Sequence, residues 1–179
     1  VLTNRGKLPP LSVRQAFLLT SGAWLALTAF AALPFAFSGL GLSYTDAFFE
    51  AMSGLTTTGA TIITELDEAP PGILLWRALL QWFGGIGIIV MAISVLPMLN
   101  VGGMQLFRLE SSDTSEKILP RTAQIAGSIT RLYFFITGSC LLAYWLAGMS
   151  FFDAAAHAMT TIATGGFSTR DASLAAFST

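Results

Sequence analysis

Three long apolar runs constrain this chain more than any other feature. Residues 16–41 contain no charge at all. Residues 74–99 carry only Arg77, near their start, and residues 122–152 only Arg131. A bilayer core of about 30 Å takes about 20 helical residues, so each run is long enough to cross it. Pro34 and the glycines are no objection, because neighbouring helices satisfy the backbone groups they free. The chain is 54% hydrophobic and 11% charged over 179 residues, against about 25% charged in an average soluble domain. That excludes a disordered chain and a nucleic-acid binder with a basic face, and it argues against a water-soluble enzyme. The expected class is an all-α integral membrane protein.

Between the runs lie segments too polar to span and too apolar to be plain loops. Residues 46–53 (DAFFEAMS) and 153–160 (DAAAHAMT) read as short helices of about two turns. Each is followed by a Thr-Gly stretch, LTTTGAT at 55–61 and IATGGFST at 162–169. The two segments are copies. A gapless offset of 107 residues pairs Arg14 with Arg121, Gly41 with Gly148 and Ser43 with Ser150. It also pairs Asp46 with Asp153, Met52 with Met159, Thr57 with Thr164 and Gly59 with Gly166. The unit is long helix, short helix, Thr-Gly loop, long helix. Repeats of this kind are common in transport proteins. This divides the chain into a first repeat at 1–99, a linker at 100–121 and a second repeat at 122–179. The second repeat is expected to stop before its last helix, as in a piece of a longer protein.

Charge placement sets the orientation. Arg5, Lys7 and Arg14 precede the first run, and Arg108, Lys117 and Arg121 lie in the linker. Residues 42–75 hold no Lys or Arg but five acids. The positive-inside rule places residues 1–15 and 100–121 in the cytoplasm, so both Thr-Gly loops open outward. Irregular backbone at membrane depth is tolerated only inside protein or along a water-filled cavity. Two such loops in register point to a shared aqueous path.

A cation on that path must exchange its hydration shell for oxygens. Loop carbonyls supply them, glycine frees the backbone to aim them, and threonine adds a hydroxyl. Glu50, Asp67 and Glu68 lie where they would raise cation concentration at an outer mouth. The simpler alternative is that Thr and Gly only end a helix and turn the chain.

At these residues the chain resembles the Trk/Ktr/HKT superfamily of potassium transporters, and within it the bacterial TrkH-type membrane subunit. The resemblance rests on AFFEAMSGLTTTGATI from position 47 and HAMTTIATGGFST from position 157. WFGGIGIIVMAISVLPML from position 82 and GGMQLFRLESS from position 102 add to it. It implies a potassium-channel-like architecture of four helix–pore loop–helix repeats, of which this chain matches the first and most of the second. It implies potassium uptake, without an enzymatic activity, by a multi-pass protein of the bacterial inner membrane. Gly59 and Gly166 match the filter glycines. Thr57 and Thr58 in the first loop, and Thr164 and Gly165 in the second, match the coordinating positions before them. K⁺ is then the transported ion, with no organic cofactor. The implied partners are the lipid bilayer, a second copy of the full-length subunit and a cytoplasmic nucleotide-binding TrkA-type regulatory subunit, with no nucleic acid.

Other residues take simpler readings. Asp46 and Asp153 read as N-caps of the short helices. His157, equivalent to Glu50, reads as a hydrogen-bonded core histidine, with pH sensing as the alternative. Arg131 faces the bundle interior or snorkels to the cytoplasm. The four tryptophans are packing or interface residues, and Cys140 is a small buried thiol. Gly84, Gly85 and Gly87 are expected to let another helix approach closely. Two rival functions remain, a sodium-coupled solute transporter with discontinuous helices and an intramembrane serine protease using His157. No Gly-x-Ser-x-Gly motif accompanies the second.

Overall fold

The computed structural model describes residues 12–99 and 118–177. The basic segment before residue 12, and the linker from 100 through 117, lie outside the described residues. Among those described there are helices and no strands. In chain order they are α1 (Val13–Ala31), α2 (Leu33–Ala36), α3 (Tyr44–Leu55), α4 (Pro71–Leu99), α5 (Ile118–Leu146) and α6 (Phe151–Ile162). A 3₁₀ turn at Ser173–Phe177 follows. Three stretches are long and apolar enough to cross a membrane: Arg14–Ala36, Pro71–Met91 and Ala126–Leu146.

Local chemistry accounts for the boundaries. Ser12 caps α1 by accepting from the Gln15 N–H, and Gln15 reciprocates toward the Ser12 N–H. The first apolar run does not continue as one helix to residue 41. It breaks at Ala32 and resumes as α2 with Pro34 in its first turn, where the missing N–H costs nothing. The third run breaks as well. α5 stops at Leu146, and Gly148 turns the chain at a φ of 101°, a conformation that glycine adopts without strain. Gly41 does the same before α3, with a φ of 70°.

Both short helices are 12 residues long, a full turn more than their sequence suggested. The reason lies in their caps. The N-caps are Ser43 and Ser150, three residues before the aspartates. Asp46 and Asp153 occupy the third helical position. There each receives its serine's hydroxyl at 2.7 Å, and its own N–H donates to the serine oxygen at 3.1 Å. The aspartates are therefore the reciprocal half of a capping arrangement rather than N-caps.

α4 is the centre of the molecule. Some 44% of its spanning window is buried, against 17% for α1 and 6% for α5, whose outer faces present Phe17, Leu18, Phe134 and Phe135. Such all-round apolar surface suits lipid or further helices. α4 packs on both short helices. Its Gly84 lies against the Leu55 carbonyl at the end of α3, where no Cβ would fit. Its Gly85 faces Ala163 at the end of α6, and a Cβ there would stand 2.7 Å from the Tyr133 hydroxyl. Adjacent glycines thus seat the two short helices on one long one. Gly87 only reaches ordinary contact with Trp24, at 3.7 Å.

Tryptophans tie the seams. Trp76 donates to the Ala31 carbonyl at 3.0 Å, joining α4 to α1. Trp82 donates to Thr137 at 3.1 Å and its carbonyl accepts from Tyr133 at 3.0 Å, joining α4 to α5. Arg131 does not enter the described bundle. It lies exposed on α5 and reaches back to the Gly127 carbonyl and the Ser128 hydroxyl, both at 3.3 Å.

Candidate functional site

Each short helix ends in the same turn. In α3 the Thr57 N–H donates to Gly54 O at 3.0 Å and the Thr58 N–H to Ser53 O at 2.9 Å. In α6 the Thr164 N–H donates to Thr161 O at 2.9 Å and the Gly165 N–H to Thr160 O at 2.9 Å. This is the Schellman ending, which requires a left-handed residue just past the helix and usually places glycine there. Here that residue is threonine both times, with φ of 57° at Thr57 and 55° at Thr164. A β-branched side chain in this region is strained, by about 1–3 kcal/mol. Two residues later Gly59 and Gly166 take φ of 79° and 82°.

The turn has a consequence for the backbone oxygens. The turn consumes the carbonyls of Ser53 and Gly54 in α3 and of Thr160 and Thr161 in α6. Those of Thr57, Thr58, Gly59, Thr164, Gly165 and Gly166 accept no hydrogen bond among the described residues. Unpaired carbonyl oxygens at the C-terminal ends of two helices form a negative environment suited to a cation. The loops also touch. The Gly165 carbonyl lies against Gly59 so closely that a Cβ on Gly59 would overlap it. At Gly166 a Cβ would meet nothing within 4 Å, so there only the positive φ demands glycine.

Behind the loops stands a buried ion pair. Glu50 is 0% exposed and Arg77 1% exposed, with Nε 2.8 Å from Oε1. The Glu50 carboxylate accepts from the Thr61 hydroxyl at 2.9 Å and from the Ile62 N–H at 3.1 Å. Arg77 donates to Thr61 Oγ1 at 3.0 Å and to the Ser168 carbonyl at 2.9 Å, and stacks 4.1 Å over the Phe167 ring. One guanidinium therefore holds the chain just after both loops.

The second repeat places a histidine at the equivalent position. His157, equivalent to Glu50, is buried, with Nδ1 2.8 Å from the Asp153 carbonyl and Nε2 3.1 Å from Ser168 Oγ. A carbonyl can only accept, so Nδ1 carries a proton in that contact, and Ser168 Oγ can pair with Nε2 as donor or acceptor. Ser168 is the repeat partner of Thr61, so the same contact recurs.

Beyond the loops Arg170 pairs with Asp67 at 3.2 Å and Asp153 at 3.5 Å. Asp171 accepts from the Leu66 N–H at 2.9 Å, tying the repeats together a second time. Burial pushes the Asp153 carboxyl up. Hydrogen bonds from Thr169 and Ser150, with the Arg170 charge, outweigh that and hold it below the ordinary carboxylate range.

The three acids assigned to an outer mouth are placed differently from one another. Glu50 is inside the protein, and its charge is met by Arg77, so it does not face an open mouth. Asp67 is half-exposed and shared with Arg170, and Glu68 is exposed on the same loop. Sequence reasoning missed Arg77. Its signal was a lone charge in an apolar span, which at membrane depth calls for a partner.

These features define a class: an α-helical membrane protein of repeated long-helix, short-helix and loop units, with two carbonyl-lined loops brought together. The TrkH family model, described as a cation transport protein, matches residues 2–179. The chain belongs to that family. It is 50% identical over 177 residues to "Trk system potassium uptake protein TrkH" of Escherichia coli strain K12, covering 97% of this chain and 37% of that protein. To "Trk system potassium uptake protein TrkI" of Halomonas elongata it is 48% identical over 170 residues, covering 94% and 35%. The crystal structure of the potassium transporter TrkH from Vibrio parahaemolyticus superposes with a TM-score of 0.76 at 44% identity, covering 95% of this chain and 32% of that one. The chain spans about a third of the length of the curated relatives it matches.

Proposed function

We propose that this chain forms part of the wall of a potassium pathway across the bacterial inner membrane. The filter oxygens are the backbone carbonyls of Thr57, Thr58, Gly59, Thr164, Gly165 and Gly166. K⁺ sheds water at the outer face, is coordinated by loop oxygens and passes inward down its electrochemical gradient. The observation that carries this reading is the recurrence of one strained turn at equivalent positions, with its carbonyls unpaired and the two loops in contact. A turn whose only task was to reverse the chain would not need threonine at positive φ twice.

Two loops are half of a four-walled site, so selective conduction belongs to a chain of the relatives' length that carries this segment. Residues 1–99 act there as the first repeat, 100–121 as a cytoplasmic linker and 122–179 as part of the second. Such a subunit pairs with a second copy and with a nucleotide-binding TrkA-type regulator on the cytoplasmic side. A sodium-coupled solute carrier with broken helices is disfavoured, because α4 and α5 run unbroken for 29 residues each. The test is Rb⁺ against Na⁺ uptake into proteoliposomes carrying the full-length chain. Rb⁺ uptake must exceed Na⁺ uptake, and substitution of Gly59 or Gly166 must erode the difference. Equal uptake of both ions would overturn the reading.

A further inference from the structure

One turn beyond Arg77, on the same face of α4, lies Gln81, fully buried at 0% exposure. Its Oε1 accepts from the Phe167 backbone N–H at 3.1 Å, and Phe167 directly follows Gly166. The amide then lies flat on Gly165, where a Cβ would overlap Cδ, Oε1 and Nε2 together. On its other side Nε2 is 3.7 Å from where a Cβ of Gly59 would stand. One amide from the first repeat therefore lies against the second loop and beside the first where they meet. Its Nε2 is buried without a hydrogen-bond partner among the described residues. Buried donors are nearly always satisfied, because an orphaned N–H costs free energy. An amide held at that cost is tied to the loop by its other end.

The contact also accounts for an asymmetry between the repeats. The first loop has Thr58 where the second has Gly165. Thr58 is exposed and its hydroxyl lies 2.8 Å from that of Thr56. At Gly165 the same space is filled by Gln81, and no side chain fits.

We propose that Gln81 is a positioning residue for ion selection. Its amide sets the separation of the two loops and holds the second through Phe167. A filter distinguishes cations by the number and spacing of its oxygens, so a strut at the loop junction acts on preference more than on flux. The inference rests on the loops being filter walls.

The test uses the full-length chain in proteoliposomes, reading Rb⁺ and Na⁺ uptake, with monodispersity and melting in detergent as measures of folding. Gln81→Met keeps the shape and removes the acceptor. The Rb⁺-over-Na⁺ preference should fall about fivefold, the worth of one hydrogen bond, with maximal Rb⁺ flux retained. Gly165→Ala, which pushes the amide aside, should cause a similar loss. Gln81→Ala with Gly165→Ala should be no worse than Gln81→Ala alone, because both break one contact. That cycle carries the test if Gln81→Met does not fold. An unchanged preference in Gln81→Met, or losses that multiply in the double variant, overturns the proposal. Gly166→Ser is the control. If it erodes the preference and Gln81→Met does not, Gln81 is only packing and the filter reading stands. If neither does, the filter reading itself fails.

Discussion

Arg77 offers the sharpest perturbation. It and Glu50 have 1% and 0% of their side chains exposed, so neither charge has water to fall back on. Arg77→Met leaves the Glu50 carboxylate without a counter-charge and frees the Ser168 carbonyl and Thr61. Removing one member of a buried pair costs about 3–5 kcal/mol, two to nearly four decades in the folding equilibrium. Arg77→Lys keeps the charge but cannot reach Glu50, Thr61 and Ser168 together, so it should also be clearly destabilised. The double variant Glu50→Met, Arg77→Met replaces both charges with apolar groups of similar length. It should recover most of the lost stability, since the desolvation cost of both ions disappears. Ion preference should not recover, because both loops have lost the tether behind them. The assay is the melting midpoint of the full-length protein in detergent, followed by size exclusion, beside Rb⁺ and Na⁺ uptake. If Arg77→Met melts with the parent, or the double variant is less stable than either single one, the pair is not the buried counter-charge described.

Further outcomes follow from the same geometry. Gly84→Ala forces a Cβ into the Leu55 carbonyl, so α4 and α3 must separate. We expect a loss of about 1–3 kcal/mol, seen as a lower melting midpoint, whereas Gly72→Ala, with open space around it, should melt like the parent. Thr164→Gly relieves the left-handed strain and should raise stability by about 1 kcal/mol, while the loosened loop lowers the Rb⁺-over-Na⁺ preference. The Asp153 carboxyl is held below its ordinary value. Its contribution is therefore complete above the unfolded pKa of about 3.9 and is lost as pH falls through the lower folded value. The melting difference between parent and Asp153→Asn should be flat from about pH 5 to 8 and vanish in stronger acid.

Much of this was legible because it is periodic or local. Uncharged runs gave the spans, a constant offset gave the repeat, and Gly59 and Gly166 fell at equivalent places with matching φ. Ser43 and Ser150 were missed as caps although Ser-x-x-Asp is a local pattern, because the aspartates drew the cap assignment. What could not be read depends on packing between distant segments. The Glu50–Arg77 pair joins residues 27 apart, and the Gln81 contact with Phe167 joins residues 86 apart. The sequence shows an acid on a short helix and a cation in a span. Only the seating of α3 and α6 on the two glycines of α4 shows that they meet.

The central claim is that the unpaired carbonyls beside Gly59 and Gly166 select potassium. Gly166→Ser tests it most directly, because a Cβ there meets no neighbour within 4 Å while the backbone φ of 82° disfavours any side chain. Rb⁺ and Na⁺ uptake should be measured in proteoliposomes holding the full-length parent and this variant at equal density. The account predicts a parent that takes up Rb⁺ over Na⁺ and a variant that folds normally but loses that preference. A folded variant with the parent's preference would contradict it.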